Sequence, residues 1–129
     1  MEGNIIAENG LALIVYKDRK YLKRMEPDKS FHGKGGILSF SSIIGKPYGV
    51  QYGDYKVFQP TLEDLVMYGI RRETQIIFPK DAAFVCLKLD VRPGTRMIEV
   101  GTGSGAMALY FSRAVGPSGT LVSIETEER

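Results

Sequence analysis

The chain has 129 residues, the size of one ordinary domain, with 25% charged residues and a net charge of +2. A single cysteine, Cys86, excludes an internal disulfide and suits a reducing cytoplasm, and a single histidine, His32, leaves no His/Cys metal cluster. No run of about eighteen apolar residues is present, so no membrane span is expected, and the opening residues lack the basic and apolar regions of a signal peptide.

In chain order, residues 1–60 predict a small, strongly bent β-domain. Ile5-Ile6-Ala7 and Leu11 to Tyr16 flank Asn9-Gly10, a hairpin-turn signal. Lys20 to Met25 alternates polar and apolar residues in part, and Phe40 to Ile44 and Val50 to Phe58 read as further strands with turns at Gly45-Lys46-Pro47 and Gly53-Asp54. This front part holds nine Lys/Arg against six Asp/Glu, whereas residues 61–129 hold eight against nine. A mildly basic front is compatible with an RNA-facing surface, although charge alone favours an ordinary solvated one.

Residues 61–129 predict the start of an α/β domain. Thr61 and Asp64 form a capping-box pattern, and Leu62, Leu65, Val66 and Ile70 follow at helical spacing. Phe78 precedes Pro79, which disfavours helix at that point, and Asp81 is a good N-cap for a helix over 82–89. Pro93-Gly94 sets a turn. Met97 to Val100 then reads as a short strand, Gly101-Thr-Gly-Ser-Gly105 as a tight turn, Ala106 to Ala114 as a helix and Thr120 to Ile124 as a second strand. The pattern is one β-α-β unit, right-handed by rule. Two parallel strands do not complete a doubly wound sheet, so a partner or a longer polypeptide is expected to finish it.

The chemistry concentrates around that turn. A nucleotide-like ligand needs close backbone approach at the carboxyl end of the first strand, and Gly101, Gly103 and Gly105 remove side chains that would obstruct it. The G-x-G-x-G spacing is tighter than the dinucleotide G-x-G-x-x-G and favours a ligand without a pyrophosphate over NAD. Glu125, twenty residues beyond Gly105, can accept hydrogen bonds from two vicinal ribose hydroxyls, or be a surface acid at a strand end. Glu99 either holds loop amides or attracts a cationic amine. Phe78 either packs in the core or stacks on a base. His32 has no nearby carboxylate, and Cys86 on an apolar helix face reads as core.

With these residues in view, TQIIFPKDAAF, VRPGTRMIEVGTGSGAMAL and RAVGPSGTLVSIE resemble the bacterial and archaeal tRNA (adenine-N1)-methyltransferases that modify the T-loop. The resemblance covers Thr61 to Glu125, and IIGKPYG over 43–49 is similar to the small β-domain of these enzymes. It implies a Rossmann-like class I methyltransferase domain, S-adenosylmethionine (SAM) as methyl donor, tRNA as substrate and a homotetramer. By position, Gln75, Gly101, Gly103, Ser104, Gly105, Ala106 and Met107 would contact SAM, Glu125 would hold its ribose, and Phe78 would belong to the adenine pocket. The family often has Tyr or His where this chain has Phe78, so a stacking ring is kept and a polar handle lost. The family's catalytic aspartate has no counterpart before Arg129, so the chain is expected to be an N-terminal fragment, inactive alone. Two alternatives are a non-catalytic RNA-binding or assembly module and one half of a split methyltransferase.

Overall fold

A computed structural model describes residues 4–70 and 77–125. By contact the chain divides into two compact units, Met1–Gly69 and Ile70–Arg129. The sequence reading draws its boundary at Pro60; the helix after it keeps company with the first unit.

The first unit is built from β1 (Leu11–Tyr16), β2 (Arg19–Arg24), β3 (Ser30–Gly33), β4 (Gly36–Ser39), a one-turn helix α1 (Phe40–Ile43), β5 (Val50–Tyr52), β6 (Tyr55–Phe58) and α2 (Leu62–Asp64), which continues into a wide π turn over Leu65–Gly69. An antiparallel sheet runs β2-β1-β6-β5, and β3-β4 forms a separate hairpin. Ile14 pairs with Tyr21 on one side and Val57 on the other. Period-two alternation therefore turns Ala12, Ile14 and Val57 to one face, where they bury with Phe31, Leu38, Phe40 and Tyr55. The Tyr55 ring meets Phe31 edge-on at 5.3 Å, and its hydroxyl donates to the Gly36 carbonyl at 2.8 Å.

Two expectations are corrected here. Asn9-Gly10 does turn the chain, with Asn9 at φ 61°, yet Ile5 to Ala7 does not fold back on β1. Ile6 exchanges backbone hydrogen bonds with Gly45 and Lys46 instead, and the partner of β1 is β2, across Lys17-Asp18. Phe40 to Ile44 is not a strand. Phe40 and Ile43 stand three residues apart, so one helical turn buries both while Ser41 and Ser42 face solvent. The β3–β4 hairpin was not foreseen. The capping box holds as read: the Asp64 N–H donates to Thr61 Oγ1 at 3.1 Å, and the Thr61 N–H donates to Asp64 Oδ2 at 2.9 Å.

The second unit contains α3 (Pro79–Lys88), β7 (Arg96–Val100), α4 (Ala106–Val115) and β8 (Thr120–Ile124). The helix α3 starts earlier than expected. Pro79 takes its first position, Phe78 is the N-cap, and Asp81 lies in the first turn, where its charge favours the helix dipole. The strands β7 and β8 pair in parallel through α4, with Glu99 opposite Ser123. This is the β-α-β unit that opens a Rossmann-like sheet. Its Ile98, Val100, Val122 and Ile124 share one strand face and stay exposed, at 69%, 76%, 48% and 46%. No element among the described residues covers that face. Cys86 is half-buried on α3, not a core residue.

Candidate functional site

The loop from β7 to α4 owes its shape to glycine. Gly101, Gly103 and Gly105 have φ of 82°, 59° and 85°, a region that residues with a Cβ rarely adopt. At Gly101 and Gly105 an added Cβ would meet nothing within 4 Å. It is backbone conformation, not crowding by the protein, that demands glycine there, and the space outside stays open to a ligand.

Hydrogen bonds hold the loop against both strands. The Gly101 N–H donates to the Ile124 carbonyl at 2.7 Å, which ties the end of β7 to the end of β8. One step on, the Gly103 N–H donates to Glu125 Oε2 at 2.7 Å, a charge-assisted bond spanning 22 residues. The fold thus brings the acidic residue after the second strand to the middle of the glycine turn. The Ser123 hydroxyl donates to Glu99 Oε1 at 3.0 Å, which anchors that carboxylate on its register partner. Ser123 was missed by sequence reasoning. Its signal is the parallel register, which puts the residue two before Glu125 beside the residue two before Gly101.

A hollow of ≈ 270 Å³ opens over this loop, lined by Ile77, Glu99 to Ser104, Ala106 and Met107. Small-molecule sites usually run to roughly 300–1,000 Å³, so the loop supplies one wall of a site. Gly105 caps α4 in the left-handed conformation, and Ala106 and Met107, the first residues of α4, line the hollow. A larger hollow of ≈ 480 Å³ lies against the strands, lined by Arg96, Met97, Ile98, Thr120 and Val122. It belongs to the uncovered sheet and offers little chemistry, so the smaller one is the candidate site.

Of the residues singled out in the sequence, Gly101, Gly103, Ser104, Ala106 and Met107 line the hollow, and Gly105 and Glu125 are hydrogen-bonded into its loop. Phe78 stands at the start of α3, 49% exposed, next to the lining residue Ile77. Gln75 lies outside the described residues. Among the described residues no group of His, Cys, Asp and Glu could hold a metal ion. The residues present suit a nucleoside that carries a charged tail: glycines and small side chains line the hollow, and a carboxylate stands at the strand end for vicinal hydroxyls.

Residues 54–129 match the family described as "tRNA methyltransferase complex GCD14 subunit". The chain is 38% identical over 126 residues to the tRNA (adenine(58)-N(1))-methyltransferase catalytic subunit trm61 of Schizosaccharomyces pombe, covering 92% of this chain and 34% of that protein. It is 35% identical over 120 residues to the tRNA (adenine(58)-N(1))-methyltransferase TrmI of Thermus thermophilus, covering 87% and 47%. The crystal structure of TrmI from Aquifex aeolicus superposes with a TM-score of 0.82 at 36% identity, over 92% of this chain and 47% of the other. A SAM-dependent O-methyltransferase from Thermotoga maritima superposes with a TM-score of 0.86 at 32% identity, over 97% and 49%. The chain therefore spans about a third to a half of the length of these relatives.

Proposed function

We propose that this chain, which belongs to the family of the tRNA methyltransferase complex GCD14 subunit, is the SAM-gripping part of an enzyme that methylates N1 of a T-loop adenine in tRNA. The observation that carries the proposal is the left-handed glycine turn Gly101–Gly105 with Glu125 Oε2 bonded to its central amide. A carboxylate has acceptor sites to spare. Glu125 can keep the Gly103 amide and still receive a ribose hydroxyl. Gly101 and Gly105 let the ligand lie against backbone, and Glu99, held by Ser123, puts negative charge where the cationic methionyl end would lie. SAM, when bound, supplies the electrophilic methyl group. Gln75 is assigned to SAM and Phe78 to the adenine pocket, with the Phe78 ring as the stacking surface.

The donor-binding wall and the acceptor-positioning groups are separate requirements, because transfer needs N1 held in line with the methyl group. For the 129-residue chain by itself we propose weak SAM binding and no turnover; activity belongs to a protein of its relatives' length. Assembly is proposed to be homo-oligomeric, a tetramer. The fungal relative is named a catalytic subunit and the Thermus one is not, which makes a two-subunit assembly the second reading.

The test is made on protein purified from its source cells with whatever accompanies it. Incubation with SAM and unmodified tRNA should yield 1-methyladenosine in the T-loop, identified by nucleoside mass spectrometry. Methyl groups found only on ribose oxygen or on other bases would refute the acceptor assignment. One polypeptide species in the preparation supports the homo-oligomer, and two species support the second reading.

A further inference from the structure

We propose that the edge of the first unit's sheet at β2, with the β3–β4 hairpin beside it, is a docking track for the phosphate backbone of RNA. The proposal rests on the RNA-methylating reading above and adds to it the surface that would carry the substrate.

Two hollows adjoin on this unit. One, of ≈ 200 Å³, is lined by Tyr16, Lys17, Asp18, Arg19, Tyr21 and Lys34. The other, of ≈ 360 Å³, includes Lys23, Arg24, Lys29 and Phe31. They meet at the Tyr21–Phe31 ring pair, whose centroids are 4.9 Å apart. Six of the nine Lys and Arg in residues 1–60 line these hollows, against two carboxylates, Asp18 and Glu26. The modest excess of positive charge on the front part is therefore gathered on one edge.

Strand geometry sets the spacing. In β2, Arg19, Tyr21 and Lys23 point to the same face, roughly 6.6 Å from one to the next. Lys29 is paired with Glu26 at 3.1 Å and Arg24 donates to the Asn9 carbonyl at 2.7 Å. Lys17, Arg19, Lys23 and Lys34 are exposed, and none is paired with a carboxylate among the described residues. Lys17 and Lys23 rest near the Tyr16 and Phe31 rings, at 5.4 and 5.9 Å from the centroids.

A basic edge strand has a plainer use, since lysines on an edge discourage pairing with other chains. That use does not account for Lys17, Lys29 and Lys34. They lie outside β2 and line the same hollows. Phe31 is buried and Tyr21 half-buried, so the rings shape the track and offer little surface for stacking bases. The track is built to contact phosphate, which carries no sequence information and depends strongly on salt.

The test is equilibrium binding of fluorescent tRNA to the full chain, without SAM, from 50 to 200 mM salt. Replacing Lys17, Arg19, Lys23 and Lys34 together by Gln should make the negative slope of log K against log salt shallower by about 3 and weaken binding on the order of 10–100-fold at low salt. The exposed set Lys46, Lys56, Lys88 and Arg92, changed likewise, should leave the slope within one unit of the parent. Changing Lys17, Lys23 and Lys34 to Arg should keep full binding, which separates lost charge from lost folding. No tRNA binding by the parent, an unchanged slope in the track variant, or an equal loss in the second set would each overturn the proposal. Poly-glutamate competing as well as tRNA at equal charge would overturn RNA as occupant in favour of an acidic protein face. Failure of the methylation assay with the track intact refutes the methyltransferase reading alone, and methylation with an idle track refutes the track alone.

Discussion

Replacing Glu125 by Gln tests the link between the glycine turn and the donor most directly. In the ligand-free chain the Glu125 carboxylate receives the Gly103 N–H at 2.7 Å. In the proposed complex it also receives ribose hydroxyls. Gln keeps the length of the side chain, removes the charge and leaves a single acceptor oxygen. A hydrogen bond to a charged group contributes about 1.5–3 kcal/mol and a neutral one about 0.5–1.5 kcal/mol. Exchanging two of the first for one of the second costs about 2.5–4.5 kcal/mol, and because Glu125 is exposed solvent screening brings this down to about 2 kcal/mol. This corresponds to roughly 30-fold weaker SAM binding. The assay is titration calorimetry with SAM on native preparations from cells in which the variant replaces the parent. Thermal melting run alongside separates this effect from loop unfolding, which the weakened Gly103 bond alone would shift only slightly. SAM binding within twofold of the parent, with melting unchanged, would refute the assignment of Glu125 to the ribose.

Other predictions concern the frame around the site. At Gly119 an added Cβ would stand 2.5 Å from Val115 Cβ and 2.7 Å from the Thr95 carbonyl oxygen, so Gly119→Ala should destabilise the second unit by about 1–3 kcal/mol in urea unfolding. A neutral result would mean that the α4–β8 turn yields easily. Tyr55→Phe removes only the bond to Gly36 and should cost about 1 kcal/mol, whereas Tyr55→Ala should cost about 3–5 kcal/mol; equal losses would show that the hydroxyl, not the ring, supports the core. Burial pushes the Cys86 thiol up. The thiolate is the reactive form, so alkylation at pH 8 should be slower than for free cysteine and should rise only at higher pH. Reaction at the free-cysteine rate would place Cys86 in open solvent.

Local chemistry made part of this protein legible in its sequence. The capping box at Thr61 and Asp64 closes within one turn, so its residues suffice to predict it. The β7–turn–α4–β8 segment is nearly as self-contained: three glycines satisfy the positive φ of the turn, and apolar runs on either side supply the strands. The tertiary structure decided what depends on distant partners. Phe40 to Ile43 is apolar at both ends and fits a strand as well as a helix; it is helical because one turn buries both apolar residues in the same core. Asn9-Gly10 turns the chain wherever it stands, but only competition among strands sends Ile6 to Gly45 and leaves β1 to β2. Lys23 and Lys34 are eleven positions apart in the chain, and it is the hairpin β3–β4 against β2 that gathers their charge on one edge. Likewise Glu99 and Ser123 are ordinary strand residues until parallel pairing sets them opposite each other. Backbone conformation is chosen among neighbours in sequence, whereas burial, charge clustering and hydrogen bonds across strands are chosen among neighbours in space.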